Sequence, residues 1–436
     1  MPTHWENWSG SVRAAPAEVH YPRTLDEVVA LVRTARARGV GVRVVGAGHS
    51  FTPLVATAGV LVSLDHFAGI ERVDFPAQRA MVRAGTRIHD LSAQLALHGL
   101  AQSNLGDINR QSIAGAISTG THGTGAALGS LATQVVAFTL VSGTGEVITC
   151  SEQHNRDIFK AAQVSLGALG IITSVTLQLE PSYCLDYRWG REQLDVTLAN
   201  LEYERIENRN FEFFWFPYSE WAQVKRSRRT DAPAQPRTLL RGFNDLVLEN
   251  GVFWLLSELC RMVPPLSPRV AHLAGELISD GHEVNASHRV FASTRLVRFQ
   301  EMEYSIPAAA MADAVRAIDA RIRQARINVH FPIECRYVRA DDIDLSPAYG
   351  RDSAYIAVHM YRGMPYRDYF AVVEPILRSF GGRPHWGKLH TLTAPELRAL
   401  YPRWEAFAAV RRQLDPDGVF QNDYLRALLG DVGATV

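Results

Sequence analysis

Cysteine is scarce in this chain. There are four in 436 residues (Cys150, Cys184, Cys260 and Cys335), and no two form a C-x-x-C pair. That excludes a disulfide framework and a paired-thiolate zinc site, suits a reducing compartment, and leaves no metal centre to expect. Neither sign of charge is in excess, because Lys+Arg and Asp+Glu are both 45. A balanced chain has no electrostatic reason to bind nucleic acid or an anionic membrane. Long apolar runs are missing too. The most apolar stretch, Gly251–Val263, is interrupted by Glu258 and Arg261 and falls far short of the roughly 20 residues that a spanning helix needs. It reads as a buried or amphipathic helix rather than a membrane contact. The opening Met1–Trp8 has no basic region leading into an apolar core. No signal peptide is therefore visible, and a cytoplasmic location is expected.

The length suits two domains, at a prior of roughly 100–200 residues each. The first third alternates helix and strand. Thr24 and Glu27 are spaced as a capping box ahead of a helix over Leu25–Arg38, with Val28, Leu31, Val32 and Ala35 on one face and Gly39 as its stop. Strands are expected at Val40–Val45, Val60–Leu64 and Ala80–Ala84, and a second helix at Ile88–His98. Gly106–Gly129 has little propensity for regular structure; such a segment inside a compact domain is usually functional. A hairpin follows over Val135–Thr149, then an alternating strand over Ile171–Leu179 that Pro181 ends. Beyond about Tyr183 the character changes. Aromatics cluster at Phe211–Phe216, Ser227–Arg237 reads as a surface loop, and helical patterns run to about Ser279. Strands return at His288–Phe299, Phe331–Val338 and Tyr355–Met360, with helices at Ala308–Ala325 and Arg367–Phe380.

Four constellations carry chemistry. The first is the turn Gly46-Ala47-Gly48-His49-Ser50 after a strand. It is not a Rossmann fingerprint, because Phe51 stands where a third glycine belongs and the residues before the next strand are too few for a crossover helix. Its glycines still let backbone N–H groups approach a diphosphate. The second begins at Gly106-Asp107 and runs through Gly115 into Ser118-Thr119-Gly120-Thr121-His122-Gly123. Small residues there allow a flat ring and a diphosphate to lie against backbone, and Ile113 and Ile117 argue against a mere linker. The third is Glu334-Cys335-Arg336, where strand alternation puts the two charges on one face among apolar neighbours. The fourth is His385-Trp386-Gly387-Lys388, after the glycine pair Gly381-Gly382.

In that order, these motifs resemble the sugar-1,4-lactone oxidases (gulonolactone, galactonolactone and arabinonolactone oxidising enzymes) and the alditol oxidases, within the vanillyl-alcohol-oxidase superfamily. Arg298–Pro307 and Pro416–Leu425 are similar to the family as well, so the likeness spans nearly the whole chain. It implies an α+β, two-domain vanillyl-alcohol-oxidase-type flavoprotein. An FAD-binding domain over residues 1–180 would be followed by an antiparallel-sheet cap or substrate domain over 181–395, and the segment 396–436 would return to the first. It implies FAD bonded covalently through His49. Gly46, Ala47, Gly48, Ser50, Gly106, Asp107, Gly115 and the loop from Ser118 to Gly123 would hold the cofactor, and the strand start Gly170-Ile171-Ile172 would hold its adenine side. Glu334, Arg336 and Lys388 would surround the reacting carbon, with His385 and Trp386 against the substrate. The substrate would be a small sugar lactone, or a polyol in the alditol oxidase alternative, and the acceptor O2 or another oxidant. Glu334 and Lys388 both stand as candidates for the base. A noncatalytic flavin carrier is the reading from another class; desolvated charges argue against it.

Overall fold

The computed structural model describes residues 4–235, 250–291 and 297–432. The first helix spans Leu25–Ala37 and buries Val28, Val32 and Ala35. Thr24 Oγ1 accepts the Glu27 N–H at 3.2 Å, but the Glu27 carboxylate accepts from the N–H of Arg23, at 2.6 Å, and not from that of Thr24. The cap therefore closes one residue upstream of the expected box. Strands Glu18–His20 and Val42–Val45 both pair in parallel with Val60–Ser63 between them. Residues 46–59, which join the second and third strands, contain no helix, so this small parallel sheet is not a Rossmann unit. Beside it lies a five-stranded antiparallel sheet, in the order Val147–Ser151, Val135–Val141, Ile171–Gln178, Arg79–Arg83, Ile70–Asp74. The expected irregular segment 106–129 holds a short helix, Ile113–Ser118. Its first N–H groups donate to the Thr86 and Ala84 carbonyls, and its small residues let Ile113, Ala116 and Ile117 pack fully into the core.

The second half is built on one eight-stranded antiparallel sheet. Its order is Gly281–Ala286, Cys184–Gln193, Trp221–Thr230, Asn210–Trp215, Ile333–Val338, Ser353–Tyr361, Phe299–Pro307, Arg383–Pro384. Two expectations are corrected here. Ser227–Thr230 is strand rather than loop, because ten residues pair in register with Cys184–Gln193. Ser287–Phe291 is a short helix rather than the start of a strand. Residues 236–237 of the first expectation and 292–296 of the second lie outside the described residues. Helices Met311–Ala325 and Arg367–Ser379 pack together on the sheet, burying Val315, Ile318 and Ile322 from one and Phe370, Val373 and Leu377 from the other.

The C-terminal segment lies against the first half. Val42 N–H donates to Val419 O at 2.7 Å, Gly143 N–H to Leu414 O at 2.8 Å, and Asn422 Nδ2 to the Pro53 and Ala56 carbonyls, both at 2.9 Å. The buried Arg43 guanidinium donates to carbonyls of Leu54, Leu166, Gly167 and Phe420; burial lowers its pKa to about 9. Among the described residues no helix is long and apolar enough to cross a membrane. The Asn250–Met262 helix is not buried as a whole. It buries Ser257 and Cys260 but turns Trp254 (52% exposed), Leu255 (62%) and Met262 (65%) outward.

Candidate active site

Two adjoining clefts meet at the glycine turn. The first is a cleft enclosing about 970 Å³ of space that is open to solvent on one side. Gly46, Ala47, Gly48, Gly115, Ser118 and Ile172 are among its walls. The second is lined by charged and imidazole groups, and His49, Ser50, Gln111 and Thr119 line both. Gly48 has φ +68°, which favours glycine, and lets the chain fold back to present His49. The turn is tied down from both ends of the sequence. Trp8 N–H donates to Gly48 O (2.8 Å), Asn7 Nδ2 to Ser50 O (2.9 Å), Phe51 N–H to Gly387 O (2.8 Å) and Thr52 Oγ1 to Trp386 O (3.2 Å). His49 Nδ1 is buried with no hydrogen-bond partner. Burial, then the positive charges of Lys388, Arg87 and Arg110, lower the ring's pKa to about 4. A neutral imidazole with an idle buried nitrogen, on a turn that opens to both clefts, fits a group bonded to a flavin.

The second cleft is the inner face of the large sheet. Opposite residues of antiparallel strands share a face, and the register sets Glu301 opposite His359, Glu303 and Glu334 both opposite Ala357, and Glu212 opposite Arg336. Four strands thus lay their charges side by side. Arg336 is 7% exposed. It pairs with Glu334, with Asp107 at 2.6 Å and with Glu212 at 2.7 Å. Burial works against its charge, but Asp107, Glu334 and Glu212 together hold its pKa well above the usual value. Lys388 pairs with Glu301 rather than with Glu334, and its ammonium lies 5.2 Å from the Phe51 ring centre. Burial alone would raise the Glu301 pKa, but Lys388 and then His359 outweigh it and push it far down.

A third group sits beside these. His122 Nδ1 is 2.9 Å from Gly123 O, so it donates there, and its Nε2 is 3.1 Å from Glu303. Against the cost of burial, His122 lowers the Glu303 pKa to about 2. His385 Nδ1 accepts the Gly387 N–H at 3.1 Å, which leaves the proton of a neutral ring on Nε2. Burial lowers the His385 pKa to about 4. One ligand-type atom from each of His122, Glu303 and His385 lies within 4.8 Å of the other two. Two imidazoles and a carboxylate suit a divalent cation, but His385, accepting at Nδ1, keeps its proton on Nε2 and has no lone pair left to offer one.

The structure brings Glu334, Arg336, Lys388 and His385 into one cavity. It distributes the expected cofactor residues differently. Gly106, Asp107, Thr121 and His122 line the second cleft rather than the first, and Asp107 and His122 are held in ion pairs there. Gly120, Gly123 and Ile171 line neither cleft. A Cβ on Gly123 would stand 2.2 Å from Leu105 O, so close backbone packing explains that glycine without a ligand. Ile171 is fully buried, and alternation gives its neighbour Ile172 to the cleft. Trp386 lines neither cleft. It is fully buried, donates from Nε1 to Leu345 O at 2.6 Å and stacks on Tyr401 at 4.9 Å. Sequence reasoning missed Glu212, Glu301, Glu303 and His359. The signal was present in Glu-Met-Glu and Val-His-Met, charged or polar side chains alternating within otherwise apolar strands.

Residues 175–428 match the family described as D-arabinono-1,4-lactone oxidase, and residues 16–151 match an FAD binding domain. The chain is 41% identical to an L-gulono-1,4-lactone dehydrogenase of Mycobacterium tuberculosis over 429 residues, covering 98% of this chain and 99% of that one. It is 34% identical to the L-gulonolactone oxidase of Bos taurus, over 97% of each chain. With an alditol oxidase of Streptomyces it shares 33% identity, over 98% of this chain and all of that one. The solved cholesterol oxidase of Brevibacterium sterolicum superposes with a TM-score of 0.81 at 20% identity, over 98% of this chain and 97% of that one, a likeness of fold alone. With a histidine-tipped glycine turn between two clefts and these matches together, the chain belongs to the D-arabinono-1,4-lactone oxidase family and carries an FAD-binding domain in its first third.

Proposed function

We propose that the chain oxidises a carbinol carbon of an aldono-1,4-lactone (L-gulono-, L-galactono- or D-arabinono-1,4-lactone) in the cytoplasm, with FAD bonded covalently to His49 and dioxygen as acceptor, giving hydrogen peroxide. The observation that carries this reading is the cavity in which Arg336–Glu334 and Lys388–Glu301 converge beside the His49 turn. Its cysteines Cys150, Cys260 and Cys335 are buried and free, in keeping with a reducing compartment. Bound FAD supplies a two-electron oxidant; protein supplies position and charge.

Alcohol oxidation draws a proton off oxygen while hydride leaves carbon, so negative charge grows on that oxygen. Two cations lining the cavity, buried Arg336 and partly buried Lys388, stabilise it without reorganising. Arg336 is fixed by three carboxylates. Lys388 is fixed as an ammonium by Glu301, and a lysine so held is an electrostatic group, not the base. Glu334 spends one oxygen on Arg336 and orients a substrate hydroxyl with what remains. A protein that only carried flavin or bound a neutral sugar would gain nothing from burying these charges.

The test is the absorbance spectrum of the purified protein, with sugar lactones and with alditols, under argon and under air. Bleaching of the flavin bands by lactones under argon, with recovery in air, supports the reading. Faster bleaching by xylitol or sorbitol replaces it with an alditol oxidase. Bleaching that persists in air replaces dioxygen with another acceptor, and no bleaching by either class rejects it.

A further inference from the structure

We propose that Trp8 is the residue that seats the lactone ring and favours it over an open-chain polyol; this rests on the reading above and names what selects the substrate. Trp8 lines the charged cavity, yet it comes from the N-terminal edge of the chain and from none of the four motifs. Strands Trp5–Glu6 and Arg13–Ala14 pair as a hairpin, and Asn7 closes the loop between them. Asn7 Oδ1 accepts the N–H groups of Ser11 (2.9 Å) and Val12 (3.0 Å), while Asn7 Nδ2 donates to Ser50 O. Asn7 and Ser9 are 3% and 2% exposed, so the backbone on both sides of Trp8 is fixed. Trp5 lines the first cleft. The two tryptophans therefore straddle the His49 turn.

The indole is braced by other rings but keeps its polar handle. It lies 5.6 Å from the His49 ring, tilted by 34°, and stands near-perpendicular to Phe299 at 5.3 Å and to Phe51 at 6.3 Å. Phe51 and Phe299 are each 3% exposed, whereas Trp8 is only partly buried. Trp8 is thus the aromatic of this cavity that a ligand can reach. Trp215, Trp221 and Trp386 each spend the indole N–H on a protein acceptor. Among the described residues Trp8 Nε1 donates to no protein group, and it is not one of the nitrogens sealed from solvent. A cavity otherwise walled by ion pairs therefore gains one apolar plane with one neutral donor.

That combination separates the two substrate classes. The ester atoms of a 1,4-lactone lie in one plane, and its carbonyl and ring oxygens only accept hydrogen bonds. Such a ring offers flat C–H surface with acceptors at its rim. An indole answers both, with apolar area, a π system that attracts the positive ends of C–H bonds, and an N–H that only donates. An alditol has no plane, and each of its oxygens is a hydroxyl that donates as well as accepts. It suits the charged wall of Glu334, Arg336, Glu301 and Lys388 but gains little from an indole. A stiff ring against a braced indole also loses little freedom on binding. Trp8 holds atoms that do not react, so its contact is the same before and during hydride transfer. It tightens binding of the lactone without speeding the step.

The experiment is rapid-mixing flavin reduction under argon, over a concentration series of L-gulono-1,4-lactone and of xylitol, in wild type, Trp8→Phe and Trp8→Leu. Xylitol is read as a competitor wherever it is not oxidised. In Trp8→Leu the half-saturating lactone concentration should rise about tenfold; in Trp8→Phe, which keeps a ring and loses the N–H, it should rise about threefold. The saturated rate should stay within about threefold of wild type, and half-saturating xylitol within about twofold. A rise under about threefold in Trp8→Leu overturns the proposal. Equal losses for lactone and xylitol, or a fall in saturated rate with lactone binding intact, also overturn it and leave Trp8 as a support of the His49 turn. One measurement needs no variant to fold. In wild type, hydroxyl-radical oxidation of Trp8, taken as a ratio to that of Trp254, which is 52% exposed, should fall when the lactone is saturating. An unchanged ratio overturns the proposal. A wild type that no lactone or alditol reduces, while dithionite does, refutes the proposed function instead.

Discussion

Replacing Lys388 with methionine keeps most of the side chain's apolar stem and removes its charge. What remains is Glu301, whose side chain is 6% exposed, against a lysine that was 17% exposed. Breaking a buried pair by deleting one partner costs about 3–5 kcal/mol, because the survivor is an uncompensated buried charge. Glu301 keeps one other partner, His359 at 3.4 Å, so the lower end is expected, about 3 kcal/mol. Glu301→Gln alone should cost a similar amount by stranding the lysine. The double variant strands nothing and should lie within about 1–2 kcal/mol of wild type, so the two losses fail to add by at least about 2 kcal/mol. Sign and pH follow from the direction of the Glu301 pKa. In wild type it is depressed below its ordinary 4.5. The pair's contribution is therefore complete above that value and fades as pH falls through the range below it. In Lys388→Met the Glu301 pKa rises instead, so the deficit is largest at neutral pH and shrinks on acidification as the carboxylate takes a proton. Urea unfolding of the four proteins at pH 7 and pH 5 measures all of this. A Lys388→Met loss under about 1 kcal/mol, or strict additivity with Glu301→Gln, would falsify the buried-pair account.

Acid-precipitated protein should stay yellow and yield a His49 peptide carrying the mass of FAD; complete release of flavin into the supernatant rules the bond out. His49→Ala should fold, release its flavin in acid and reduce it more slowly. Arg336→Lys keeps a charge among three carboxylates but loses the fork that reaches them. Flavin reduction at saturation should fall at least about tenfold with KM nearly unchanged, and a rise in KM alone would assign Arg336 to ground-state binding. Trp386→Phe loses the bond to Leu345 in a fully buried site, so the thermal midpoint should drop by several degrees. Its KM should not move, whereas a selective change in KM would return Trp386 to the substrate.

Local pattern exposed one layer of the site. Alternation along six residues put Glu334 and Arg336 on a shared face, and a histidine after two glycines marked the turn at 49. The next layer is non-local. Glu301 meets His359, and Glu212 meets Arg336, only through strand register across 58 and 124 positions (359 − 301; 336 − 212), and no short-range period encodes that. The same blindness explains the errors. Ser227–Thr230 is polar and has the pattern of a loop, yet pairing with Cys184–Gln193 makes it strand. Ile113–Ser118 holds a glycine and two β-branched isoleucines in six residues and still forms a helix, because its first N–H groups are received by the Thr86 and Ala84 carbonyls. Trp386 sits between two cavity residues, His385 and Gly387, and only the backbone's path shows that its ring points to Leu345.

The stitching of the His49 turn to Gly387 and Trp386 has a consequence for how the protein is made. The turn leaves the ribosome early, but the carbonyls that receive Phe51 and Thr52 are synthesised more than 330 residues later (386 − 52 = 334). Val419 and Phe420, which close on Val42 and Arg43, come later still. An N-terminal fragment therefore cannot hold His49 in its final pose, however well its own sheets form. If FAD is bonded to His49 as proposed, attachment becomes a last act of maturation, timed by arrival of the C-terminal segment. A chain truncated before residue 387 would be left colourless in acid, with its histidine intact and unreacted.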